Sequence, residues 1–403
     1  MEIIKLVIVF AVMIALIVMK QPLAIAAPVA AVACWLMYRV PFMTGVNAII
    51  HDLTAMSTLQ LILMMYLITF MQSMIKARGG IDRSQKALTR LFHNNWITCT
   101  VAPFIIGLLP AAPAVFISGD VISEAVGDRL TNEEKATAAS FFRHVSEAFM
   151  PTYAAILTAL ALTGVSAGGF VLGMLPLMII LVLIGCFYLY RGKVPVRAEG
   201  DPSTDKGRDF KDFVGGIWPI LVAIILIVGF NMNVAVTVMI VIVAYFFFGK
   251  FTFDEVKPYF VSSLQPKVIL NTLAVYTFKA ILTSTNVISA LPGFFEKLPI
   301  PTFLIFVLIC FFGSIVAGSL TMTTTMVPVA FAAIPNSGLP LLCLLMCSVY
   351  AAMQVSPTHV CLTLSCEHFN VSLGALIKRT IPIVVTFLIV AVVYYLGFSA
   401  IMA

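Results

Sequence analysis

Arg143 and Glu147 fall within one short stretch of an otherwise apolar segment, and Lys279 falls in the middle of another. A charged side chain in hydrocarbon is costly, so each such position is first read as a place where chemistry is done. Arg143 and Glu147 are four residues apart and His144 is three from Glu147, which puts all three on one helix face. That spacing suits a self-contained ion pair, and equally a guanidinium presented to an anion beside a carboxylate that takes up a coupling ion. Lys279 has no acid one turn away, so it is expected to neutralise an acid from another helix or to attract substrate. Asp120, Glu124 and Asp128 recur every fourth residue; Asp120 is a candidate for proton or sodium coupling, and the other two read as solvated surface. His359 follows Pro357 and Thr358, and an imidazole there suits proton coupling or a structural hydrogen bond. The ion-coupling set is therefore Asp120, Glu147, Lys279 and His359.

Prolines mark the second kind of position. Pro151 withholds an N–H from the carbonyl of Glu147, and Pro357 from that of Met353. Freed carbonyls at membrane depth coordinate a cation or water unless a neighbouring Thr satisfies them. Pro110, Ala111, Ala112, Pro113 and Ala114 interrupt one apolar stretch; Gly313, Gly318, Ser319, Thr321, Thr323, Thr324 and Thr325 occupy the middle of another. Helix N-termini expected at 113–116 and 322–326 would offer unpaired N–H groups to an anion. The threonine hydroxyls add donors there, or bond back to their own helix. The substrate-binding set combines these five residues at 110–114 with Arg143, Pro151, Thr152, Ser319, the four threonines, Pro357 and Thr358.

Other chemistries find little support. The eight cysteines are scattered, six of them inside apolar segments, and imply no disulfide framework. Cys361, Cys366, His359 and His368 lack CxxC-type spacing and read as packing, so no metal and no cofactor are expected. No HExxH or GxGD sequence is present, which argues against an intramembrane enzyme.

The elements that hold these residues are membrane helices. Of 403 residues, 61% are hydrophobic and 10% charged, with a mean hydropathy of +1.07, a composition for lipid rather than water. A hydrocarbon core about 30 Å thick takes about 20 apolar residues per helix. Full spans are predicted near 3–19, 22–40, 58–75, 139–163, 167–190, 213–230, 232–249, 266–286, 338–358 and 375–400. The stretches 96–128 and 302–334 are each 33 residues, too long for one crossing and too short for two with a turn. Each is expected to be a re-entrant hairpin. The run 76–94 places Ile81, Ala87, Leu88 and Leu91 near helical spacing and should lie along the membrane surface.

Charge orients the chain. The net charge of +6 reports topology rather than an acidic partner, and no nucleic acid is expected. Lys5, Arg39 and Lys297 fall on one side, Arg143 and Lys279 within spans, and the other Lys and Arg on the opposite side. The polar run 191–212 is then a cytoplasmic linker, with both termini outside.

The linker divides two similar halves. Lys76 and Thr283 precede the breaks at Pro110 and Gly318 by 34 and 35 residues, and those breaks precede Pro151 and Pro357 by 41 and 39. The local sequences FMPTY at 149–153 and VSPTH at 355–359 are alike. The expected domains are a first repeat at 1–190 with hairpin 96–128, the linker 191–212, and a second repeat at 213–403 with hairpin 302–334. The fold class expected is all-α integral membrane: about 10 full transmembrane helices plus two re-entrant helical hairpins in two inverted-topology repeats.

The segments GLLPAAPAVF at 107–116, LTNEEKATAASFFRHVSEAFMPTY at 130–153 and VSPTHVCLTLSCEHF at 355–369 resemble domain-of-unknown-function family 401, within the ion-transporter superfamily of citrate, gluconate and dicarboxylate carriers. That family reads like LLPxPGGA at the first hairpin and FRHxWEYxxPLYP on the following helix. Phe142, Arg143, His144, Glu147 and Pro151 match, whereas Ala114 and Val115 replace the glycine pair, and Ser146 and Ala148 stand where aromatic residues are expected. The resemblance implies an elevator carrier, often dimeric, that binds substrate between two hairpin tips and two broken helices. The Ser-Asn-Thr motif of the dicarboxylate branch is absent from both tips, so sodium–dicarboxylate symport is not carried over. The expected function is secondary transport of a small organic anion, such as a carboxylate, coupled to H+ or Na+, by a homodimer in the plasma or inner membrane. Cation/proton antiport, centred on Asp120 and Glu147, is the alternative.

Overall fold

The computed structural model describes residues 2–19, 21–108, 114–196, 205–230, 232–285, 287, 299–357 and 359–402. Among them are 19 α-helices and no strand. The first ten are α1 (Glu2–Val18), α2 (Leu23–Tyr38), α3 (Phe42–Thr54), α4 (Met56–Ala77), α5 (Gly80–Phe92), α6 (Asn95–Gly107), α7 (Ala114–Val126), α8 (Asn132–His144), α9 (Ala154–Thr163) and α10 (Ala167–Tyr190). The rest are α11 (Lys206–Ile224), α12 (Val234–Phe248), α13 (Phe253–Ser262), α14 (Pro266–Ser284), α15 (Thr302–Ala317), α16 (Ser319–Ala333), α17 (Gly338–Met353), α18 (Val360–Phe369) and α19 (Leu373–Met402). The chain is a multi-pass membrane protein.

Four segments are long and apolar enough to cross a bilayer by themselves: Met56–Ala77, Ala167–Tyr190, Lys206–Gly229 and Leu373–Ile401. The other apolar helices are shorter. In particular, the expected span 139–163 is not one helix. After α8 the chain tightens into a 3-10 turn over Val145–Ala148, crosses Pro151 in non-helical conformation, and resumes as α9. The expected span 338–358 likewise ends at Met353 and resumes at Val360. Proline supplies no N–H to the turn before it, so neither helix can continue through.

The apolar stretch beginning at 95 forms two arms, α6 and α7, of 13 residues each, about 20 Å at 1.5 Å per residue. They pack on one another, and 109–113 between them lie outside the described residues. α15 and α16 form a second pair of 16 and 15 residues. Only Gly318 separates them, at φ +84°, a left-handed conformation that side chains with a Cβ resist. The helix N-terminus therefore falls at Ser319, earlier than the 322–326 expected.

Two further helices escape hydropathy. α3 carries Thr44, Asn47, His51, Asp52 and Thr54, and α13 carries Asp254, Glu255 and Lys257, too polar for a span. α5 buries Ala87 and Leu88 and packs on α11 through Gly80 and Gly216, where a Cβ on either would meet the other's carbonyl oxygen at 2.4 Å or less. α11 begins inside the polar run 191–212, capped by Asp205, which accepts from the Arg208 N–H at 2.9 Å; 197–204 of that run lie outside the described residues.

Packing follows a crossed pattern. α14 lies against α2 and α3, while α4 lies against α12 and α13. α9 packs on α16, and α18 packs on α7 and α8.

Candidate functional site

α8 is fixed at its start by a capping box: Thr131 accepts from the Glu134 N–H while Glu134 accepts from the Thr131 N–H at 2.9 Å. Glu134 also pairs with Lys193 and, at 3.3 Å, with Arg379 of α19. Burial opposes ionisation of Glu134, but the hydrogen bonds from Lys193 and the Thr131 N–H and the nearby charges outweigh it and hold the carboxyl below the ordinary carboxylate range. The far end of α8 carries Arg143 and His144, buried to 1% and 0% exposure.

α18 runs antiparallel beside α8, since the residues that touch ascend along α8 as they descend along α18. Ser365 Oγ donates to the Ala136 carbonyl at 2.8 Å, Arg143 Nη1 lies 3.5 Å from Cys361 Sγ, and His144 Nε2 lies 3.0 Å from His359 Nε2. Gln354 Nε2 ties the second interruption to α8 by donating to the Phe141 carbonyl at 3.3 Å. The interruptions near Pro151 and Pro357 thus meet side by side.

The charges at this crossing are compact. Arg143 Nη1 is 3.0 Å from His144 Nε2 and 3.7 Å from Glu147 Oε1, which is 3.8 Å from His144 Nε2. His144 Nδ1 lies 2.5 Å from the Ser140 carbonyl; a carbonyl only accepts, so Nδ1 carries the proton and Nε2 is a lone pair. His359 Nε2 therefore donates to it. His144, His359 and Cys361 bring their donor atoms within 4.8 Å of one another.

Each arm pair reaches the interruption in its own half of the chain. Tyr153 OH donates to the Gly107 carbonyl at the end of α6 and lies 3.2 Å from Ser146 Oγ. A Cβ on Gly107 would lie 1.9 Å from the Arg143 carbonyl oxygen. Near the other pair, Ser356 Oγ donates to the Ile315 carbonyl at 2.8 Å.

The sequence-predicted residues divide into groups. Arg143, Glu147 and His359 come together at the crossing, with Pro151 and Thr152 on the adjoining segment. Thr152 Oγ1 is buried without a hydrogen-bond partner. Ser319, Thr321, Thr323, Thr324 and Thr325 lie on the first turns of α16; Thr324 and Thr325 donate back to the Thr321 carbonyl at 2.9 and 2.8 Å. Pro357 is exposed. Asp120 lies on α7, 73% exposed and 3.2 Å from His368 Nε2. Lys279 stands 3.7 Å from Asp52 on α3, in the α2–α3–α14 group. Pro110, Ala111, Ala112, Pro113 and Thr358 lie outside the described residues, and of Ala114 only its place at the start of α7 is described.

His144, Cys361, Gly107, Ser146 and Tyr153 were not singled out as site residues. His144 had a signal, its place beside two charged residues in an apolar segment. Tyr153 had a weaker one, two residues after Pro151.

Two apolar cavities, about 200 and 330 Å³, flank the stacked rings of Phe104 and Phe149, 6.2 Å apart. Arg143 lines neither.

The profile of a family described as "Protein of unknown function (DUF401)" matches residues 3–397. No curated protein sequence matches the chain. Among solved structures, the YdaH transporter of Alcanivorax borkumensis, described as having an unusual topology, is similar over 87% of each chain with a TM-score of 0.63 at 14% identity. MtrF of Neisseria gonorrhoeae, described with a class of antimetabolite efflux pumps, is similar over 87% of this chain and 83% of its own, with a TM-score of 0.60 at 14% identity. At that identity the likeness is one of fold.

Proposed function

The chain belongs to the DUF401 family, and from that premise and the geometry of the crossing we propose that it is a secondary active transporter of a small organic anion, coupled to H+ or Na+. The observation that carries this reading is Arg143. A buried guanidinium sits where two interrupted helices meet, beside a carboxylate and two imidazoles. A guanidinium offers forked donors to a carboxylate or similar anion, and the neighbouring titratable groups can take up an ion as the solute binds. The transporters of similar fold support transport as the class, and MtrF makes export as reasonable a direction as import.

An inverted repeat, within the ion-transporter superfamily plan, is supported by element order. From α1 to α10 and from α11 to α19 the helices follow the same sequence of roles, with 288–298 outside the described residues at the place corresponding to α5. The crossed packing is reciprocal: α2 and α3 on α14 match α12 and α13 on α4, and α9 on α16 matches α18 on α7. Such reciprocity is what a two-fold axis relating the halves produces, and with that axis in the membrane plane the repeat is inverted. On this reading α6–α7 and α15–α16 are re-entrant hairpins, 191–212 is a cytoplasmic linker, both termini are outside, and a homodimer in the plasma or inner membrane works by an elevator movement. Pro110–Ala114, Pro151, Thr152, Ser319, the threonines of α16, Pro357 and Thr358 complete the solute site. Asp120 and Lys279 serve as outlying charged groups.

Thermal stabilisation of the detergent-purified chain tests this across carboxylates, sugar acids, sulfonates and amino acids, with and without sodium, at two pH values. A ligand of the folded state raises the melting point by mass action. An anion-specific rise that Arg143→Ala abolishes is expected. A response to sodium or pH alone, with none to any anion, would replace this reading by cation/proton antiport.

A further inference from the structure

The geometry points to a transition-metal site at the crossing, in which His144 Nε2, His359 Nε2 and Cys361 Sγ bind an ion of the Zn2+ class. The expectation of no metal rested on Cys361, Cys366, His359 and His368, whose spacing is wrong. The fold supplies a different set by bringing His144 of α8 against the start of α18.

Distances favour it. Zn–N bonds of about 2.0–2.1 Å at a tetrahedral angle separate two ligand nitrogens by roughly 3.3 Å, and the two Nε2 atoms lie 3.0 Å apart. All three donor atoms fall within 4.8 Å of one another; about 3.6 Å between nitrogen and sulfur is needed, so the thiol has to move toward the imidazoles as the ion binds. Glu147 Oε1 is 3.8 Å from His144 Nε2 but falls outside this close group of three, so a water molecule would complete the tetrahedron with the carboxylate beside it.

The donor chemistry also selects the ion. Two imidazoles and a thiolate suit Zn2+, Co2+ or copper, whereas Na+, Mg2+ and Ca2+ take oxygen ligands. His144 already presents a lone pair at Nε2, because its Nδ1–H is held by the Ser140 carbonyl, the outer hydrogen bond that metal-ligating imidazoles commonly make. On binding, His359 shifts its proton to Nδ1 and Cys361 releases its thiol proton to solvent. The resulting thiolate and the Glu147 carboxylate offset the ion's two charges. Arg143 Nη1, 3.0 Å from His144 Nε2 and 3.5 Å from Cys361 Sγ, has to swing out from between them for the ion to enter. The site shares His359, Glu147 and Arg143 with the proposed transport site, but metal binding is read out directly and without any transport measurement.

Cobalt titration of the chelator-stripped, full-length protein in detergent tests it. A near-ultraviolet thiolate-to-cobalt band should grow with added Co2+, be displaced by Zn2+, vanish in Cys361→Ser and persist in Cys366→Ser. His359→Gln should weaken binding by at least about tenfold, the range lost even with an outer partner. Absorption spectroscopy at the zinc edge of the unaltered protein needs no variant: a sulfur neighbour at about 2.3 Å is expected. A zinc shell of nitrogen and oxygen alone, or a cobalt band unchanged in Cys361→Ser, would overturn the site.

Discussion

His359 Nε2 lies 3.0 Å from His144 Nε2 across 215 residues of sequence, and this hydrogen bond joins the two interrupted helices at their crossing. Because His144 Nε2 can only accept, His359 must donate. Replacing His359 by Gln keeps an N–H in reach, and replacing it by Leu does not. His359→Leu should lower stability by about 1 kcal/mol more than His359→Gln. In His144→Ala the difference between the two should shrink by about 0.5 kcal/mol or more, the coupling of residues in contact. Unfolding in detergent checks this, and equal effects in both backgrounds would refute the bond.

Arg143→Ala takes away the partner 3.7 Å from the Glu147 carboxylate, which is 15% exposed, and should cost about 1–3 kcal/mol. Adding Glu147→Gln should recover part of that loss, because a neutral amide needs no counter-charge. Arg143 reaches His144, Cys361 and Glu147 through Nη1 alone, and a lysine would keep one charge but lose the planar fork offered to a bound anion, so in Arg143→Lys solute transport in proteoliposomes should fall at least about tenfold, equivalent to 1.4 kcal/mol. Wild-type transport by the lysine variant would remove Arg143 from the anion site.

Gly107→Ala forces a methyl group to 1.9 Å from the Arg143 carbonyl oxygen. The added carbon meets a backbone oxygen, so the contact cannot be relieved by rotating a side chain. A loss of about 1–3 kcal/mol is expected. Gly397→Ala, where nothing lies within 4 Å of the added carbon, should stay within about 0.5 kcal/mol. Melting points of the two variants compare them directly.

Acid should loosen the start of α8. The Glu134 carboxyl is held below its ordinary range by Lys193, the Thr131 N–H and Arg379 against the opposing effect of burial. A carboxyl lowered in the folded state contributes stability that is complete above its unfolded pKa, about 4.3, and is lost as pH falls through the lower folded value. Glu134→Gln should remove that part of the pH dependence and lower stability at neutral pH by about 1.5–3 kcal/mol. Unfolding measured from pH 7 to 3 checks both.

Some of this was open to reading along the chain. Pro151 and Pro357 mark helix interruptions because a missing N–H is a local fact, and Gly318 marks the turn between α15 and α16 because few other residues adopt its backbone. The back-bonding of Thr324 and Thr325 to Thr321 is equally local. Asp52 as the partner of Lys279 was not legible, since α3 is too polar to register as a span.

Hydropathy and proline placement by themselves determined a multi-pass helical membrane protein with two matched sets of breaks, because each depends on solvent and on neighbours within a few residues. Only the tertiary structure decided that Arg143, His144 and Glu147 meet His359 and Cys361, and that Gly107 abuts Arg143. Those contacts join residues brought together by the antiparallel packing of α8 with α18 and by the parallel packing of α6 against α8, and periodicity records that a helix face is buried without recording against what.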